Sequence, residues 1–118
     1  MKRIQSFKFA FRGLLSLVKT QPNARIHLLA TVVVVTAGTL LRLSRTEWCW
    51  LVVAMMAVWI AEAFNTAIEQ LADVVSPDFH PAIARAKDVA AAGVLIAALG
   101  SLVVGLLIFG PHFLRLFS

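Results

Sequence analysis

Tyrosine is absent from the 118 residues, cysteine occurs once, and only 14% of the side chains are charged. The lone Cys49 excludes an intramolecular disulfide and offers no metal-binding spacing. Set between Trp48 and Trp50 in an apolar stretch, it reads as a small buried hydrophobe. So little charge beside 60% hydrophobic residues excludes an ordinary soluble domain and points to an integral membrane protein. The net charge of +5 does not imply a nucleic-acid partner, because the basic residues are not interleaved with a polar fold. Missing too are a Gly-x-x-x-x-Gly-Lys phosphate loop and a Gly-rich loop paired with a His-Arg-Asp motif, so any nucleotide chemistry needs another scaffold.

What is present is a single all-α membrane-embedded domain in four helical pieces. Lys8, Arg12 and Lys19 interrupt the apolar core that a signal peptide would need. Residues 1–24 instead alternate cations with Ile4, Phe7, Phe11, Leu14 and Leu15, as an amphipathic helix at the membrane interface does. Spans are expected at about 26–41, 48–75 and 82–109, the second opening on Trp48 and Trp50 as interfacial anchors. Ser76-Pro77-Asp78-Phe79-His80-Pro81 forms a loop, and Gly110-Pro111 closes the last span. Gly93, Ala97, Ser101 and Gly105 recur every fourth residue, a stripe that permits close helix approach in lipid and favours a homo-oligomer. Lys and Arg fall eight on the side of the N-terminus and the 76–88 loop against three on the other, which predicts a cytoplasmic N-terminus.

The informative segment is 62–73. Glu62, Asn65, Glu69 and Asp73 lie within about 80° of one another on a helix, so one face carries all four at the end of an apolar run. Carboxylates at membrane depth are costly and mark functional sites by default; the bland alternative is a carboxylate that merely pairs with a neighbouring helix. Glu62, the deeper one, can take a proton from an alcohol. Glu69, about 10 Å further along the axis, can offer one oxygen to Mg²⁺ whose other ligands are waters and phosphates. Across the loop Lys87 brings a cation to the same side of the membrane, where it can meet a phosphate or simply snorkel. On the residues alone, three readings stand: an enzyme with a cytoplasm-facing acidic site, a small oligomeric proton-coupled transporter using Glu62, or a structural membrane subunit.

The run Glu62-Ala-Phe-Asn65-Thr66-Ala67-Ile68-Glu69 with Asp73, followed by Ala84-Arg85-Ala86-Lys87-Asp88, resembles the signature of the prokaryotic integral-membrane diacylglycerol kinases. Phe11-Arg12-Gly13, Asn23-Ala24-Arg25-Ile26-His27 and Phe109-Gly110-Pro111 are similar to the undecaprenol kinase branch. The resemblance implies a homotrimer in the prokaryotic cytoplasmic membrane. Each subunit would move the γ-phosphoryl group of ATP, with Mg²⁺, to the primary hydroxyl of undecaprenol or diacylglycerol. It implies Glu62 as catalytic base, Asn65 beside the reacting groups and Glu69 as a metal ligand. Lys87 and Asp88, with the Asp78-Phe79-His80 loop, would contact the nucleotide. Where the family carries a second metal-coordinating glutamate, two residues before Asn23, this chain has Gln21. An amide oxygen can ligate Mg²⁺ but lacks the charge, which leaves open weaker metal binding, a water-mediated ligand, an altered nucleotide pose or an inactivating change.

Overall fold

The computed structural model describes residues 2–118; Met1, the first residue of the expected interfacial segment, lies outside them. The described chain is four helices: α1 (Lys2–Thr20), α2 (Pro22–Leu40), α3 (Arg45–Val75) and α4 (Pro81–Leu116). Three of them, α2, α3 and α4, are long and apolar enough to cross a membrane.

Each break between helices has a local cause. Pro22 disfavours helical backbone at the residue before it, and Gln21 sits extended at φ −111°, ψ 114°. Pro22 then opens α2, where its missing N–H costs nothing. The Arg25 guanidinium folds back over this elbow, donating from Nε to the Val18 carbonyl at 3.0 Å and from a terminal nitrogen to the Lys19 carbonyl. It thereby satisfies acceptors that the end of α1 would otherwise leave bare.

The α2–α3 turn is closed by two caps. Leu43 N–H donates to Gly38 O and Arg42 N–H to Thr39 O, a Schellman arrangement with Arg42 at the left-handed position (φ 54°). Ser44 then starts α3 through a capping box: its Oγ accepts from Glu47 N–H, and Glu47 Oε1 accepts from Ser44 N–H at 2.9 Å. Gly38 is required here. A Cβ at that position would lie 2.7 Å from the Trp48 ring, so the end of α2 meets the start of α3 only because the side chain is missing.

At the opposite end, His80 caps α4 by accepting Ala82 N–H on Nδ1 at 3.1 Å. That helix does not stop at Gly110-Pro111 as its sequence suggests; it runs on to Leu116 with Pro111 inside it. Pro111 leaves the carbonyl one turn back without its usual donor. Beside it, His112 Nε2 meets Glu47 Oε2 at 2.9 Å and ties the end of α4 to the start of α3.

α3 is the central element: α4 lies along it, and α1 and α2 pack against it as well. The result is a thin plate of 58 × 41 × 21 Å. Its apolar core is small, built on Leu43, Leu51 and Ile108 with Trp48, Met55 and Phe109 around them. Most large apolar side chains point outward, as a lipid-embedded chain requires. Cys49 is among the exposed residues, contrary to the buried position its apolar setting suggests, because it lies off the inner stripe of α3. In the small-residue stripe of α4, Ser101 donates to the Ala54 carbonyl of α3 at 2.9 Å, while Gly93 and Gly105 face open space.

Candidate active site

The inner stripe of α3 begins as ordinary core, with Leu51 and Val58, and then becomes polar without leaving the interior: Glu62, Asn65 and Thr66 are all buried. Glu62 is 1% exposed and the largest fully buried side chain described. Helical spacing causes this, since positions that continue the stripe of Leu51 and Val58 must also face inward.

α2 supplies the facing wall. His27 Nε2 stands 3.6 Å from Glu62 Oε2, close but longer than a hydrogen bond. The His27 ring is held by its surroundings. Trp59 meets it edge-on with ring centroids 6.5 Å apart, and Trp59 Nε1 donates to Thr31 Oγ1 at 3.0 Å. Thr31 in turn donates to the His27 carbonyl at 2.7 Å.

Three buried oxygens on this stripe have no hydrogen-bond partner among the described residues: Glu62 Oε2, Asn65 Oδ1 and Thr66 Oγ1. Buried polar atoms are seldom left unpaired, and three within two turns of one helix call for an explanation beyond packing.

Toward the 76–80 loop the same face becomes progressively wetter. Glu69 is half-buried and Asp73 is exposed, with Asp73 Oδ1 accepting from Lys87 Nζ of α4 at 2.6 Å. Lys87 is therefore brought to the acidic face. Asp88 and the Asp78-Phe79-His80 loop are exposed, Phe79 at 84%, and among the described residues their side chains make no hydrogen bond or ion pair to Glu62, Asn65 or Glu69. Gln21 is half-buried at the α1–α2 elbow, its amide donating to Thr20 Oγ1 at 3.3 Å.

Two clefts flank the stripe. One, of about 790 Å³, lies between α1, α2 and α3 and is walled by Leu14, Leu17, Leu28, Met56, Trp59 and Thr66, among others. The second, of about 450 Å³, lies between α2, α3 and α4 and includes His27, Val58 and Ser101. Among the described residues no three His, Cys, Asp or Glu side chains converge as a ready-made metal cage.

Sequence reasoning missed two parts of this site. His27 reads as a residue near the end of a span, yet an ionisable group at membrane depth tends to pair with another, and that rule pointed to Glu62. Thr66 was visible only as a letter within the motif; its burial follows from its position four residues after Glu62.

The fold and site define a helical membrane protein with a buried carboxylate beside an apolar cleft and a cation-bearing polar end. The sequence profile of the prokaryotic diacylglycerol kinases matches residues 8–109. The chain is 36% identical over 107 residues to the undecaprenol kinase of Bacillus subtilis, covering 91% of this chain and 87% of the relative. It is 38% identical over 112 residues to a diacylglycerol kinase of Synechocystis, covering 94% of this chain and 64% of that longer protein. With the Escherichia coli diacylglycerol kinase it shares 26% over 110 residues, 93% and 90% of the two chains. The chain belongs to the prokaryotic diacylglycerol kinase family, as its motifs suggest, and is a lipid kinase. Of the readings the residues alone left open, membership selects the enzyme over the transporter and the structural subunit.

Proposed function

We propose that this protein transfers the γ-phosphoryl group of ATP to the primary hydroxyl of a membrane lipid, undecaprenol or diacylglycerol, at the cytoplasmic surface of a prokaryotic membrane. One observation carries the site assignment: Glu62 is buried, and its Oε2 has no hydrogen-bond partner. A carboxylate so placed is available to accept a proton from an alcohol that enters from the lipid phase. Asn65, one turn on, has an equally unpartnered Oδ1 and would hold the reacting groups. Phosphoryl transfer asks a protein mainly for positioning and charge stabilisation, so a compact site without a phosphate loop is sufficient.

The donor set suits Mg²⁺ carried in with nucleotide. This ion commonly takes one or two carboxylates and fills its shell with water and phosphate oxygens, and here the half-buried Glu69 is a hard oxygen donor with no closed cage around it among the described residues. Bound there, the ion would neutralise phosphate charge. Gln21 would contribute an amide oxygen from the α1–α2 elbow. Lys87 would leave Asp73 to meet the phosphates, and Asp88 with Asp78, Phe79 and His80 would border the nucleotide from the loop side.

In this reading α1 lies in the membrane interface, its cations toward headgroups, and the N-terminus is cytoplasmic, as the Lys and Arg count favours. The whole chain acts as a single domain. Three copies would assemble around outward apolar faces of the helices, as the family resemblance implies.

The test is transfer of labelled γ-phosphate from Mg·ATP to undecaprenol and diacylglycerol in parallel, with Glu62→Gln as control. Product with one lipid, lost in the control, establishes the acceptor and the role of Glu62. Equal product in the control removes Glu62 as base.

A further inference from the structure

The hydroxyl of Thr66 sets it apart from the other buried or half-buried hydroxyls of the molecule. Within a helix such a group ordinarily donates to the carbonyl four residues back. Thr31 does so toward His27, and Ser101 finds the Ala54 carbonyl on the next helix. Thr66 is 6% exposed, and its Oγ1 has no partner. It also forms part of the wall of the cleft of about 790 Å³ between α1, α2 and α3.

That cleft is polarised along its length. It follows α3 from Met56 to Gln70, about 21 Å of helix. At one end the wall is Met56, Ile60 and Leu28; at the other it is Thr66 and, one turn further, Gln70. Ser16 of α1 borders it from the opposite wall, and Thr31 and Trp59 border it as well but satisfy each other. Such a cleft suits an occupant that is apolar over most of its length and carries a hydrogen-bonding group at the Thr66 end. Glu62 lies four residues before Thr66 on the same buried side of α3, about 6 Å along the axis, one helical turn behind the Thr66 end of the cleft wall.

We propose that Thr66 is an acceptor-binding residue: its hydroxyl donates to the hydroxyl oxygen of a lipid alcohol held in the α1–α2–α3 cleft, turning that alcohol's proton toward Glu62. This rests on the kinase reading of the same site. No bond is made or broken at Thr66; it fixes where the acceptor oxygen sits. Its effect therefore falls on acceptor affinity rather than on the nucleotide.

The experiment uses the full chain in detergent micelles and two variants, Thr66→Val, which keeps the shape and removes the hydroxyl, and Thr66→Ser, which keeps the hydroxyl. Calorimetric titration with dioctanoylglycerol in the absence of ATP reads binding alone. Initial rates then separate KM for the lipid from KM for ATP. Thr66→Val is expected to weaken lipid binding and raise the lipid KM about fivefold, the loss of one hydrogen bond, with the ATP KM unchanged and Thr66→Ser near the parent. Unchanged binding in Thr66→Val overturns the proposal, as does an equal loss in both variants, which would assign the effect to packing. A variant that changes the particle mass instead would mean that a second copy of the chain fills the cleft, and also overturns it. Parent protein that binds the lipid but transfers no phosphate would defeat the kinase reading while leaving the binding comparison readable.

Discussion

Glu62 Oε2 and His27 Nε2 face each other across the α2–α3 interface at 3.6 Å, among the described residues the one pairing of ionisable groups deep in the stripe that Leu51 and Val58 begin. The distance is informative. A hydrogen-bonded pair would close to about 3 Å; at 3.6 Å Oε2 is left buried and without a hydrogen-bond partner among the described residues, with the imidazole as its ionisable neighbour.

The first prediction follows from that pairing. Glu62→Gln keeps the volume and removes the basicity, so turnover should fall about 10²- to 10⁴-fold, the usual share of a positioned general base. The elution position of the assembled protein should not change. His27→Gln should cost less, because it removes an influence on the base and not the base itself. Single-turnover phosphate transfer on the two variants and their double mutant checks this; additive effects on the rate would break the proposed coupling.

Gln21 gives the second. It sits half-buried at the elbow forced by Pro22, with its amide nitrogen donating to Thr20 Oγ1 and its oxygen making no hydrogen bond among the described residues. Gln21→Glu adds a charge where the family carries one, so the Mg²⁺ concentration for half-maximal activity should fall. An unchanged Mg²⁺ titration removes Gln21 from the metal set.

How much of this was readable beforehand varies with the range of the interaction. Three apolar spans and the shared face of Glu62, Asn65, Glu69 and Asp73 are consequences of local hydropathy and helical period, and both stand in the structure. The Pro22 break is equally local, though it ends α1 at Thr20 where the sequence suggested a segment to 24. Pro111 misled, because Glu47, which meets the neighbouring His112, lies on another helix. The approach of His27 to Glu62 and the buried, unpartnered hydroxyl of Thr66 depend on how α1, α2 and α3 meet. No window of sequence contains that information.

A third prediction concerns the polar end. Lys87 reaches across from α4 to Asp73 at 2.6 Å, which aims the ammonium at the acidic face before any nucleotide arrives. Lys87→Met should raise KM for ATP at least about tenfold while leaving lipid affinity unchanged, since a charge-assisted contact to phosphate is lost. Asp73→Asn, which only releases the lysine from its holder, should have a smaller effect on the same parameter. Initial rates at varied ATP and saturating lipid separate the two.

The last prediction tests whether the site depends on the distant hairpin. At Gly38 an added methyl group would sit 2.7 Å from the Trp48 ring and 3.0 Å from a Leu43 methyl, two side chains of the small core around Leu51 and Ile108. Neither can withdraw freely, because Leu43 closes the Schellman turn and Trp48 is packed in that core. Gly38→Ala should therefore destabilise the fold by about 1–3 kcal/mol despite its better helix propensity, the cost of overpacking outweighing a gain of about 1 kcal/mol. Thermal unfolding in detergent checks the sign. Because the end of α2 and the start of α3 set the packing of the two helices, the same variant should also lower phosphate transfer at the far end of that pair, where His27 meets Glu62. A lower unfolding temperature with undiminished transfer below it would show that the hairpin and the Glu62 site are held independently.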